Sequence, residues 1–153
     1  MSLSLSKRAF MVFGGLALAG TLNFAQAAPV SFAVPLTGAQ QDPPVQTSGS
    51  GSADLTYDAS TRVVTWNITF SGLSSQATMA HFHGPAAAGK NAGVKVWLSE
   101  KGNKEVTSPI KGEATLSADD AKMFEGGEMY VNVHTKDHPS GEIRGQVEPP
   151  KGN

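Results

Sequence analysis

The four histidines of this chain fall into two short segments. His81 and His83 frame Phe82 in Ala80-His81-Phe82-His83-Gly84-Pro85. His134 and His138 lie in Tyr130-Val131-Asn132-Val133-His134-Thr135-Lys136-Asp137-His138-Pro139. Two histidines separated by one residue on a strand point to the same face, with the residue between turned away. Such a pair offers two imidazole nitrogens to one ion. His134, at the end of a later strand, would supply a third nitrogen, and His138 or Asp137, in the loop that follows, a fourth donor. Nitrogen donors without thiolate favour copper, zinc or nickel over calcium or magnesium, so the expected cofactor is a Cu or Zn ion. A plainer reading competes: the histidines hold loops by hydrogen-bonding backbone carbonyls, and no ion is involved.

Other constellations carry less chemistry. Glu142, Arg144 and Gln146 alternate along the last strand and share a face. They are expected to support the histidine loop through an ion pair or hydrogen bonds. Ser74, Ser75, Ser108 and Ser140 are available as nucleophiles, but no G-x-S-x-G elbow surrounds any of them. No catalytic residue is therefore assigned. Trp66 and Trp97 are expected in the core.

The elements that must position the histidines follow a two-residue alternation, and the helical period is nearly absent. Strands are expected over Val30–Leu36, Gly51–Tyr57, Val63–Phe70, Met79–His83, Val94–Leu98, Lys111–Leu116, Glu128–His134 and Gly141–Val147. Pro35 suggests that the first is an edge strand. Val64, Trp66, Ile68 and Phe70 share one face of the third, which should form an antiparallel hairpin with the second. Ser117, with Asp120 three residues on, caps a single helical turn that Gly126-Gly127 stops. About eight short antiparallel strands with turns between them predict an all-β Greek-key sandwich or barrel.

Residues 1–27 read as a cleaved export signal. Lys7 and Arg8 precede an apolar run from Ala9 to Leu22, and Ala25 and Ala27 place small residues before the expected cut. The run is shorter than the about 20 residues that cross a bilayer. Residues 28–148 then form one domain, followed by a polar tail over 149–153. No second apolar segment could span a membrane. Without Lys7 and Arg8, ten basic residues face thirteen acidic ones, which disfavours nucleic acid as a partner. The chain has no cysteine. Neither a disulfide nor a lipoprotein anchor is available, and a soluble periplasmic or secreted product is expected.

Several of these segments together resemble the CHRD domain, a domain named for chordin that also occurs in exported bacterial proteins. They are Leu55-Thr56-Tyr57, the run Val64-Trp66-Ile68-Phe70-Gly72-Leu73, His81-Phe82-His83-Gly84-Pro85, Tyr130 to Thr135, and Gly141-Glu142-Ile143-Arg144-Gly145-Gln146. The resemblance covers roughly Val30 to Val147 and implies an extracellular β-domain. A second likeness is to copper–zinc superoxide dismutase, a Greek-key barrel whose H-x-H strand and later V-H strand end supply copper ligands. His81, His83 and His134 match those in type and order. The dismutase's disulfide and zinc-loop residues have no counterpart, and Arg144 is only a loose match for its active-site arginine. The favoured expectation is a non-enzymatic exported binding module whose partner is a metal ion. The alternatives are an envelope or extracellular protein-interaction domain without metal, its partner an envelope protein, and a redox enzyme of the dismutase type.

Overall fold

A computed structural model describes residues 27–103 and 105–151. All but the last residue of the expected export signal lies outside the described residues, as does the end of the polar tail. Eight strands form: β1 (Val30–Thr37), β2 (Ser50–Asp58), β3 (Val63–Ser71), β4 (Ala77–His83), β5 (Val94–Trp97), β6 (Ile110–Thr115), β7 (Met129–Thr135) and β8 (Ile143–Val147). A 3-10 turn (Gly38–Gln40) follows β1, and one helix, α1 (Ala118–Glu125), lies between β6 and β7. Among the described residues no helix is long and apolar enough to cross a membrane.

The strands make one antiparallel sheet in the order β5-β4-β7-β8-β1-β2-β3-β6. Its two edges curl towards each other. The Trp66 indole, on β3, donates to the Leu98 carbonyl just past β5 at 3.0 Å. Val106, ahead of β6, bridges to Ala77 at the start of β4. The sheet is thus a nearly closed barrel. β4, β5 and β6 follow in sequence, and β7 returns to lie beside β4, which is the Greek-key connection.

The barrel interior collects the alternate apolar residues. Val34, Leu36, Ala53, Leu55, Val64, Ile68, Phe82, Val131, Val133 and Ile143 are all buried. Helix α1 closes one end with Phe124, whose ring lies 4.8 Å from that of Tyr57 and 5.9 Å from that of Phe82. The expected single turn is an eight-residue helix. The Ser117 hydroxyl accepts from the Asp120 amide at 3.1 Å, capping the first turn. Ala121 and Phe124, three apart, bury its inner stripe.

Two expectations about position are corrected. β1 is not an edge, since β2 and β8 flank it. It pairs with β2 along its whole length but with β8 only at Thr37 and Arg144. A side with almost no ladder is where a proline strand is tolerated. Trp97 is not a core residue. It is half-buried on the outer surface, its ring 4.3 Å from that of His81.

Candidate metal centre

β4 and β7 are neighbours, with Met79 opposite His134, His81 opposite Asn132 and His83 opposite Tyr130. Their inward residues, Ala80, Phe82, Val131 and Val133, are in the core. The alternation therefore sends His81, His83, Tyr130, Asn132 and His134 to the outside of the barrel. That outside is covered all the same: His81 is 2 % exposed, His83 7 % and His134 5 %.

Three loops provide the cover. In the Gly84–Gly93 loop the Ala92 carbonyl lies 3.0 Å from His83 Nδ1, and the Ala92 amide donates to the Tyr130 hydroxyl at 3.0 Å. In the segment after the 3-10 turn, Gln41 meets the Asn132 carboxamide at 2.8 Å. In the loop after β7, the Pro139 carbonyl lies 2.9 Å from His134 Nδ1. Gly141, at φ +123°, brings its backbone against the Asn132 side chain, where a Cβ would overlap.

Each of these carbonyls fixes a tautomer. A carbonyl only accepts, so Nδ1 of both His83 and His134 carries the proton and Nε2 keeps a lone pair. His134 Nε2 lies 3.1 Å from His81 Nδ1. The Nε2 atoms of His81 and His83 are buried without a hydrogen-bond partner. One nitrogen from each of the three rings lies within 4.8 Å of the others. Nitrogens bound to one ion at about 2.0–2.1 Å sit roughly 3–3.5 Å apart, so small ring adjustments would close such a set.

Electrostatics keeps the rings uncharged. Burial, together with the neighbouring imidazoles, pulls the pKa of His81 down to about 4. Burial does the same for His134, also to about 4, against the opposing Pro139 bond. Burial lowers His83 as well, aided by the Arg144 charge. Neutral imidazoles coordinate without first losing a proton.

Two further charged residues sit behind the cluster, and they do not pair with each other. Arg144 is 1 % exposed. Its guanidinium carbon lies 3.5 Å from the centre of the Tyr130 ring. It donates to the Lys90 carbonyl at 2.7 Å and to the Asn91 side chain at 3.2 Å, holding the Gly84–Gly93 loop down. The ring of Tyr130 in turn stacks on that of His83, 4.9 Å away and within 3° of parallel. Glu142 is fully buried and accepts from hydroxyls instead of a cation. Its donors are the Thr47 hydroxyl at 2.6 Å, the Ser74 amide at 2.7 Å, and the Ser74 and Thr135 hydroxyls, each at 2.8 Å. Burial would raise its pKa, but these bonds outweigh burial and hold it below the ordinary carboxylate value. Among the described residues Glu142 and Arg144 are held by hydrogen bonds to neutral groups, and the expected ion pair between them does not form.

Asp137 and His138 are not within the three-histidine cluster. They lie on the wall of a cavity of about 540 Å³ that also reaches His83, Tyr130, Asn132 and Ser140. Tyr130 and Asn132 were not singled out from the sequence. Their place on the histidines' face of β7 follows from alternation, but their burial does not.

A family model, the CHRD domain, matches residues 32–147. Chordin from Xenopus laevis is 32 % identical over 126 residues, which cover 76 % of this chain and 13 % of that protein. Chordin from Danio rerio is 29 % identical over the same length and shares. The chain thus spans about an eighth of the curated relatives it matches. No solved structure matches it. The match to most of the chain's length assigns the protein to the CHRD domain family.

Proposed function

We propose that this CHRD domain is a non-enzymatic binding module, periplasmic or secreted, that holds one copper or zinc ion through His81, His83 and His134. The observation that carries the reading is the convergence of three buried imidazoles, two of them with lone pairs oriented by backbone carbonyls. Metal-bound histidines are regularly held this way, the second ring nitrogen donating to a carbonyl or carboxylate. The donor set contains no sulfur and suits Cu(II) or Zn(II). His138 and Asp137 stand close by on the cavity wall as outer donors. Purified protein loaded with Cu(II) or Zn(II) and then desalted should retain about one equivalent by mass spectrometry. His81→Ala and His134→Ala should each retain below about a fifth of that. Retention below about a fifth by the parent protein overturns the reading.

A second reading is a protein-interaction domain with no metal. The relationship to chordin favours it, as do the carbonyl bonds, which give His83 and His134 a structural task of their own. It predicts that His81→Ala leaves metal content and melting temperature nearly unchanged. Dismutase-type turnover is a separate claim: superoxide decay no faster with the copper-loaded protein than with the metal-free protein removes it.

A further inference from the structure

We propose that the metal centre keeps one exchangeable coordination position, which faces the cavity beside His83 and takes a small nitrogen- or oxygen-donor ligand. The inference rests on the metal reading above and adds what the ion would be for. Among the described residues the cluster supplies three donors. A four-coordinate ion with three protein ligands leaves one position to water or substrate, whereas a structural ion is closed by four. Asp137 and His138 are exposed and half-buried respectively, on the loop beyond the cluster.

Two hollows flank the histidines, and they differ in chemistry. One, of about 430 Å³, is lined by Thr78, Met79, Trp97, Asn103, Thr135, Lys136 and Pro139, and most of the surface these present to it is apolar. It offers little to a hydrated ion or a polar ligand. The other, of about 540 Å³, is walled by His83 itself and by Asn91, Tyr130, Asn132, His138 and Ser140. Carboxamides, a phenol and an imidazole can take over hydrogen bonds that an entering ligand gives up to water. The space exceeds the roughly 30 Å³ share of one water many times over, so it admits a ligand of imidazole size with solvent around it. The carboxylates of Asp42 and Asp137 also border it. They oppose a multiply charged anion and restrict the ligand to a neutral or singly charged donor.

Titration of the copper-loaded protein with sodium azide, and separately with imidazole, tests this by absorbance and spin resonance. Both probes should give saturable spectral changes with millimolar midpoints. Ser140→Trp and Val45→Trp place bulk on the cavity wall at residues outside the three-histidine cluster. At least one should weaken azide by about tenfold or more while copper content and melting temperature stay at parental values. His138→Ala should still bind azide saturably, with a midpoint at most several-fold weaker for the loss of one wall imidazole. No spectral change in protein that holds copper overturns the open position and leaves the metal reading intact. Azide binding that appears only in His138→Ala also overturns it, because His138 then fills the fourth place. A change untouched by folded, copper-loaded forms of both tryptophan variants puts the ligand elsewhere and overturns it too. Failure to retain copper at all removes the metal reading itself.

Discussion

The two halves of the barrel wall follow the same alternation and present different outer surfaces. In β2 the inward Ala53, Leu55 and Tyr57 are buried, while Asp54 is exposed and Thr56 half-exposed. β3 repeats this, with Val64, Trp66 and Ile68 inside and Thr65, Asn67 and Thr69 outside. In β7 all seven residues are buried, and in β8 all but Gln146. A strand buried on both faces usually reads as continuously apolar. Here the outer layer of β4, β7 and β8 is His81, His83, Tyr130, Asn132, His134 and Arg144, which hydrogen bonds and ring contacts make tolerable under three loops. One half of the wall is a container, and the other is a container with a polar layer held beneath a cover.

The largest effect should separate the two faces of a single strand. Phe82 is fully buried in the barrel, edge-on to Trp66 and Phe124. Phe82→Ala should cost about 3–5 kcal/mol in a denaturant titration, a large part of the stability of a small domain. His81→Ala, one position away on the opposite face, should cost the metal-free protein far less. It removes a buried ring nitrogen that has no partner, along with the single bond from Nδ1 to His134. Equal losses from the two would show that the outer layer is as much core as the inner one.

Next comes the cover. Glu142 ties Thr47, Ser74 and Thr135 together, and these belong to three separate segments. Glu142→Ala leaves their donors unpaired and should cost about 2–3 kcal/mol. Amide exchange should quicken around Ser74 and the Thr135–Gly141 loop and stay slow in β2 and β3. Uniform acceleration would mean that the cover and the barrel open as one unit.

How much of this was legible depends on the range of the interaction. The hairpin of β2 and β3 and the Ser117 cap are set by neighbours in sequence, and the alternation displays them directly. That His81 and His83 share a face follows equally from strand geometry. Their meeting with His134 depends on β7 returning beside β4, a pairing across more than fifty residues. Residue types suggested it, but no local rule fixes it. The burial of Tyr130, Asn132 and Arg144 was not legible, because alternation says which residues share a face and not what lies over it. Trp97 was misplaced for the same reason. A large aromatic ring on a strand reads as core, and here it packs on an imidazole outside the barrel. Glu142 and Arg144 invited pairing by charge, yet each found neutral partners supplied by loops.

Acid should act on the covered half first. The folded-state pKa values of His81 and His134 lie at about 4, below the ordinary value near 6.5. The unfolded chain therefore takes up protons that the folded chain refuses as pH falls. This contribution to stability is whole above about pH 6.5 and is lost progressively down to about pH 4. A loss of stability across that window is expected for the metal-free protein. It should shrink in a His81→Ala/His134→Ala double variant. Glu142, whose pKa is also depressed, adds its loss lower, as pH falls below the unfolded carboxylate value near 4.3. A parent and double variant with the same acid profile would place the sensitivity outside the histidine layer.

The smallest effect belongs to the open half of the wall. Thr69 lies on the outer face of β3 and is exposed. Thr69→Ala should change stability by no more than about 0.5 kcal/mol, as surface substitutions usually do. Asn132 occupies the corresponding outer face on β7, 3 % exposed, with its amide donating to the Ser140 carbonyl at 3.1 Å and its carboxamide against Gln41. Asn132→Ala strands both partners beneath the loops and should cost about 1–2 kcal/mol. The two substitutions change outward-facing polar side chains on strands of one barrel. A Thr69→Ala loss as large as that of Asn132→Ala would mean that the outer face of β3 is also covered in solution, and the contrast between the two halves would fall.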